Sequence, residues 1–113
     1  MEILERKEGI VGVISLSGRL DAYSANDIEA KLNSMIDMTQ IQLAVSLERL
    51  EYISSSGLRV LLAALKKTRK QQGDIKLACL KPSIKEVFDI AGFTQLFSIF
   101  DTEESAIASF EDV

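Results

Sequence analysis

The 113-residue sequence has no histidine and no tryptophan, and only one cysteine and one proline. Without His there is no His-based acid–base chemistry, no Ser-His-Asp triad and no His-ligated metal. Cys79 alone can form neither an internal disulfide nor a Cys-rich zinc site. A reducing, cytoplasmic compartment is therefore expected. No apolar run approaches the length needed to span a bilayer. The opening residues, Met1 to Glu8, lack the charged-then-apolar order of an export signal. A cationic excess is also missing. The 13 Lys+Arg stand against 17 Asp+Glu, for a net charge of −4, the opposite of the basic face a nucleic-acid binder presents. Neither nucleic acid nor membrane is expected as a partner.

What is present is the composition of a folded globule, 47% hydrophobic and 27% charged. There is no repeat, low-complexity stretch or linker, so residues 1–113 read as one domain. At this size, folding hides roughly two-thirds of the unfolded chain's surface, enough for a core without disulfides.

Periodicity supplies the elements. Ile10 to Ser17 is β-branched and apolar on both sides, as in an interior strand. Ile3 to Arg6 can pair with it through a turn at Glu8-Gly9, and Ser17 to Asp21 reads as the loop leaving the strand. A helix follows with Ser24 as N-cap and Asp27 completing a weak capping box. Its apolar stripe is Ile28, Leu32, Met35 and Ile36. Ile41, Leu43, Val45 and Leu47 alternate with less apolar residues, a strand with one face more buried.

After Tyr52-Ile53 come three serines and Gly57, where a second helix is predicted to start. Leu58, Leu61, Leu62 and Leu65 are its stripe, and Gly73 is its expected stop. Lys66, Lys67, Arg69 and Lys70 suit the negative end of that helix. Ile75 to Leu80 is a strand, with Cys79 expected in the core. Pro82 opens a helix with Ile84, Val87, Phe88 and Ala91 inward and Gly92 at its end. Phe97 to Phe100 is a short strand. Asp101 or Thr102 caps a last helix carrying Ile107 and Phe110 inward. The pattern β β α β α β α β α predicts an α/β domain: a mixed, mostly parallel sheet of four to five strands with about four helices.

The stretch Tyr52 to Arg59 joins a strand to the start of an amphipathic helix, the end of a parallel sheet where ligands gather. A helix start offers unpaired N–H groups and a partial positive charge. A Ser there is explained by capping alone, worth about 1 kcal/mol over Ala. Three in a row followed by Gly exceed what a cap needs. A serine nucleophile would need a base within reach. There is no His, no Ser-x-x-Lys and no phosphate-binding glycine loop, so no catalytic residues are assigned and an enzyme is not expected. No cofactor or metal is expected either. Arg59 reads equally as a surface Arg or as a contact for a partner carboxylate or a serine-borne phosphate. Asp21 can simply cap or turn its loop.

Three segments carry a resemblance: Leu50 to Leu62, centred on Ser54-Ser55-Ser56-Gly57-Leu58; Ser17-Gly18-Arg19-Leu20-Asp21; and Pro82 to Phe93. Together they resemble the signature segments of STAS domains, and more closely those of bacterial anti-sigma-factor antagonists, over nearly the whole chain in the same order. The resemblance implies a phosphorylation-switched binding module. In that family the unphosphorylated antagonist docks on an anti-sigma factor that is also a serine protein kinase of the GHKL type, and a PP2C-type phosphatase restores the unphosphorylated form. The implied phosphoacceptor is Ser55, with Asp21, Ser54, Ser56, Gly57, Leu58 and Arg59 as its neighbourhood. Ser54 stands where the family usually has Asp, and Ser46 where Asn or Asp is common. The first departure removes a negative charge beside the acceptor and leaves Ser54 and Ser56 as alternative modified residues. It also leaves open an accessory STAS subunit of a transporter or stressosome-like assembly without a phosphocycle.

Overall fold

The computed structural model describes residues 1–111. Its elements are β1 (Glu2–Glu8), β2 (Val11–Leu20), α1 (Ala25–Asp37), β3 (Gln42–Ile53), α2 (Ser55–Lys70), β4 (Asp74–Ala78), α3 (Pro82–Ala91), a 3₁₀ turn (Phe93–Gln95), β5 (Ser98–Phe100) and α4 (Glu103–Glu111). The five strands form one sheet in the order β1-β2-β3-β4-β5. Only the β1–β2 hairpin is antiparallel. The other neighbours are parallel, so the mixed, mostly parallel α/β sheet expected from the pattern is what forms.

The strand alternation decides which helix covers which face. Ile14, Leu16, Leu43, Val45, Leu47, Ile75 and Leu77 lie in one core cluster with the buried stripes of α1, α2 and α3. Val11, Val13, Ala44 and Ala78 lie in another, with Ala106 and Phe110 of α4. β3 is therefore buried on both faces through its middle, including Ser46. The small residues Ala44 and Ala78 are what let α4 sit close to the second face. Phe88, Phe93 and Phe97 close the end of the larger core, with ring centroids 5.9–6.5 Å apart.

Several boundaries differ from the sequence reading. Ile10 is exposed in the hairpin turn rather than in the strand. β2 does not stop at Ser17. It stays paired to β3 up to Leu20↔Ile53, with register shifts between Ser15/Ser17 and Gly18/Arg19. Gly18, at φ +100°, absorbs the irregularity. α2 starts at Ser55, two residues before Gly57, because Ser54 is the N-cap. Its stop is not Gly73 in a left-handed conformation. Gln72 takes that conformation, at φ +65°, while the Gly73 N–H donates to the Thr68 carbonyl at 2.8 Å. Gly73 is required for another reason: a Cβ there would stand 2.2 Å from the Ile41 carbonyl oxygen. Cys79 lies just past β4, half-buried and at φ +61°. Ala91 is exposed rather than inward. Gly92, at φ +78°, ends α3 as expected.

Candidate functional site

β2 and β3 run parallel and end together, so the chain leaves the sheet twice at one place. The Ser54 N–H donates to the Leu20 carbonyl at 2.8 Å. This bond ties the start of α2 to the end of β2. Leu20 is fully buried and packs under the helix start. A Cβ on Gly57 would stand 2.6 Å from the Leu20 Cγ. Gly57 is thus the residue that lets α2 begin directly on the strand end, and Leu58 follows it into the core. Both belong to the footing of the serine loop rather than to its outer surface.

Ser54 is extended (φ −93°, ψ 171°), and its Oγ accepts from the Gly57 N–H at 3.2 Å. This is the N-cap bond that a hydroxyl in this position supplies. Ser55 follows as the first helical residue and is exposed, while Ser56 is half-buried. The first turn of α2 has no acidic residue. Arg59 is exposed, and because the helix begins at Ser55 it is the fifth helical residue, not part of the first turn.

Asp21 sits where β2 ends. Its Oδ1 accepts from the Tyr23 N–H at 3.0 Å and the Ser24 N–H at 3.1 Å, an Asx turn that fixes the loop into α1. The Ser24 backbone N–H is the main cause holding the Asp21 carboxyl below the usual carboxylate range. Ser24 does not build the capping box read from its spacing to Asp27. Its side chain makes no cap bond to α1. Instead its Oγ donates to the Arg19 carbonyl at 2.7 Å and accepts from the Asp21 N–H at 3.0 Å. The loop's own orphan groups claim the hydroxyl first.

Three residues that the sequence reading did not assign to the site join it. The Arg19 guanidinium lies 4.2 Å from the centroid of the Tyr52 ring, in cation–π range. Tyr23 is 91% exposed at the tip of the neighbouring loop. Arg19, Asp21, Tyr23 and Ser24, with Met1, Gly18 and Asp27, line an open cleft of about 500 Å³ at the end of β2. Tyr and Arg on an open surface are the residue types that anchor protein–protein contacts. The Arg19–Tyr52 pairing follows from the shifted register that sets the two residues side by side.

Among the described residues, no group of three or more His, Cys, Asp or Glu is placed to hold a metal. Ser46 is buried far back along β3, and burial pushes the neighbouring Cys79 thiol up, so it stays protonated at neutral pH. Among the described residues, no helix is long and apolar enough to cross a membrane.

Comparison with known proteins places this geometry. The STAS domain model matches residues 3–106. BtrV of Bordetella bronchiseptica, a candidate anti-sigma factor antagonist, is 36% identical over 108 residues, covering 96% of this chain and 92% of the relative. The anti-sigma F factor antagonist of Paenibacillus polymyxa is 26% identical over 111 residues, covering 97% and 94%. The structure of the Bacillus cell fate determinant SpoIIAA in its phosphorylated form superposes with a TM-score of 0.77 at 25% identity, covering 96% of this chain and 99% of that one.

Proposed function

The chain belongs to the STAS domain family, and on that premise we propose that it is an anti-sigma-factor antagonist whose docking is switched by phosphorylation of Ser55. Unmodified, it docks through the serine loop and the adjoining Asp21 loop on an anti-sigma factor that is also a GHKL-type serine kinase. That docking releases the sigma factor. Transfer of phosphate to Ser55 ends it, and a PP2C-type phosphatase resets the protein. The chain, residues 1–113 as one domain, is a binding module and kinase substrate, not an enzyme, and works in the cytoplasm without a cofactor.

The observation that carries this reading is the division of labour among the three serines. Ser54 is engaged as the cap, while Ser55 stands exposed on the first helical residue, beside the end of β2. A hydroxyl presented in this way is open to a kinase and is not needed by the fold. Phosphate there adds about −1.5 to −2 charge at pH 7. The helix N-terminus tolerates it within the free protein, through N–H groups and the dipole. Against a partner that presents acidic groups or ATP phosphates, the same charge is repelled. Each ~1.4 kcal/mol of that repulsion is a tenfold loss of affinity.

The test is incubation with the cognate kinase and Mg-ATP, followed by intact mass and site mapping. One phosphate on Ser55, lost in Ser55→Ala, is expected. Equal incorporation into the Ser55→Ala protein would overturn the assignment.

A further inference from the structure

We propose that Arg59 is the internal counter-cation of phosphorylated Ser55, a positioning residue that draws the phosphate along the exposed face of α2. The inference rests on Ser55 being the acceptor. Ser55 and Arg59 are four residues apart on α2 and both exposed. At that spacing the Cβ atoms are roughly 5–6 Å apart on one helix face. Helical side chains lean toward the N-terminus, so Arg59 reaches back over Ser55 rather than away from it. An anion placed N-terminal to a cation at this spacing is the more favourable order. The guanidinium presents a planar fork that matches phosphate oxygens.

Arg59 is also available. Arg6 is bound to Glu8 and Glu103, Arg69 to Asp74, and Arg19 lies over Tyr52. Arg59 makes no side-chain hydrogen bond or ion pair among the described residues. The geometry also separates the three serines. Four residues beyond Ser54 is Leu58, which is buried, and four beyond Ser56 is Val60, which is apolar. Arg59 is four residues beyond Ser55 and three beyond Ser56, and of those two serines Ser55 is the exposed one. In the unmodified protein Arg59 remains free for a partner carboxylate. In the modified protein the phosphate takes it, so one event adds an anion to the docking face and withdraws a cation from it.

The pairing is tested on the intact chain with phosphoserine installed at position 55 by genetic encoding. ³¹P NMR titrations of this protein and of its Arg59→Gln and Arg59→Lys forms read the second ionisation of the phosphate, near 6 in free phosphoserine. The pairing predicts a midpoint lower by about 0.3 pH unit with Arg59 in place than in the R59Q protein. R59K should recover much of the difference, and high salt should shrink it. Equal midpoints in the Arg59 and R59Q proteins would overturn the pairing. With Ser55 still the mapped acceptor, that result would leave the switch itself intact.

Discussion

At the scale of single residues, the site is built from groups whose hydrogen bonds are spent on shape, around a serine run in which Ser55 stands exposed and Ser54 serves as the cap. Asp21 shows the first kind. Two backbone N–H groups hold its carboxylate and depress its titration. Because the folded-state value lies below the unfolded one, the stabilisation is present above the ordinary carboxylate range. It is lost as pH falls through the folded value. A carboxyl-detected NMR titration should therefore give Asp21 a midpoint below the 3.8 of an unperturbed Asp, with the amide signals of Tyr23 and Ser24 moving in step. A midpoint at or above 3.8 would contradict the Asx turn. Asp21 and the serine run were legible in the sequence through the family resemblance. The jobs of Ser24 and Arg19 were not. Ser24 occupies the N-cap position of α1 as its spacing suggests, but loop groups as far back as Arg19 take its hydroxyl, so no side-chain cap bond forms. Arg19 meets Tyr52 because the register shifts between Gly18 and Arg19, where β3 carries the extra residue Glu51, and periodicity does not encode such a shift.

At the scale of elements, the apolar stripes of α1 and α2 and the Pro82 and Gly92 bounds of α3 could be read directly. Each is a local signal: the helical period, a ring-locked φ, a left-handed cap. Errors gathered where a second element intervenes. The end of β2 is extended by its pairing with β3, and Gly73 is dictated by the Ile41 carbonyl rather than by helix termination. The α2 terminus yields a direct prediction. Gln72 carries the left-handed conformation at φ +65°, which costs an L-residue about 1–2 kcal/mol. Gln72→Gly removes that cost but makes the unfolded chain more flexible. The variant should gain about 0.5–1 kcal/mol in urea unfolding, an upward shift of the midpoint with unchanged slope. A loss of stability would show that the left-handed residue is not the strained one.

At the scale of the whole molecule, the sheet has a solvent-facing end and two covered faces. Helices α1, α2 and α3 share one face and α4 covers the other. Ser55 lies outside both cores, so a change confined to its side chain leaves them undisturbed, as a surface switch requires. This also fits a phosphorylated relative that keeps the same fold. The proposed switch rests on a charge added at the open end of that sheet and not on refolding. The most direct measurement is calorimetric titration of the cognate anti-sigma kinase with the unmodified protein and with the protein carrying phosphoserine at position 55, under one buffer and salt. A dissociation constant at least tenfold weaker for the phosphorylated form, with unchanged far-UV circular dichroism, is the predicted result. Equal affinities for the two forms would contradict it.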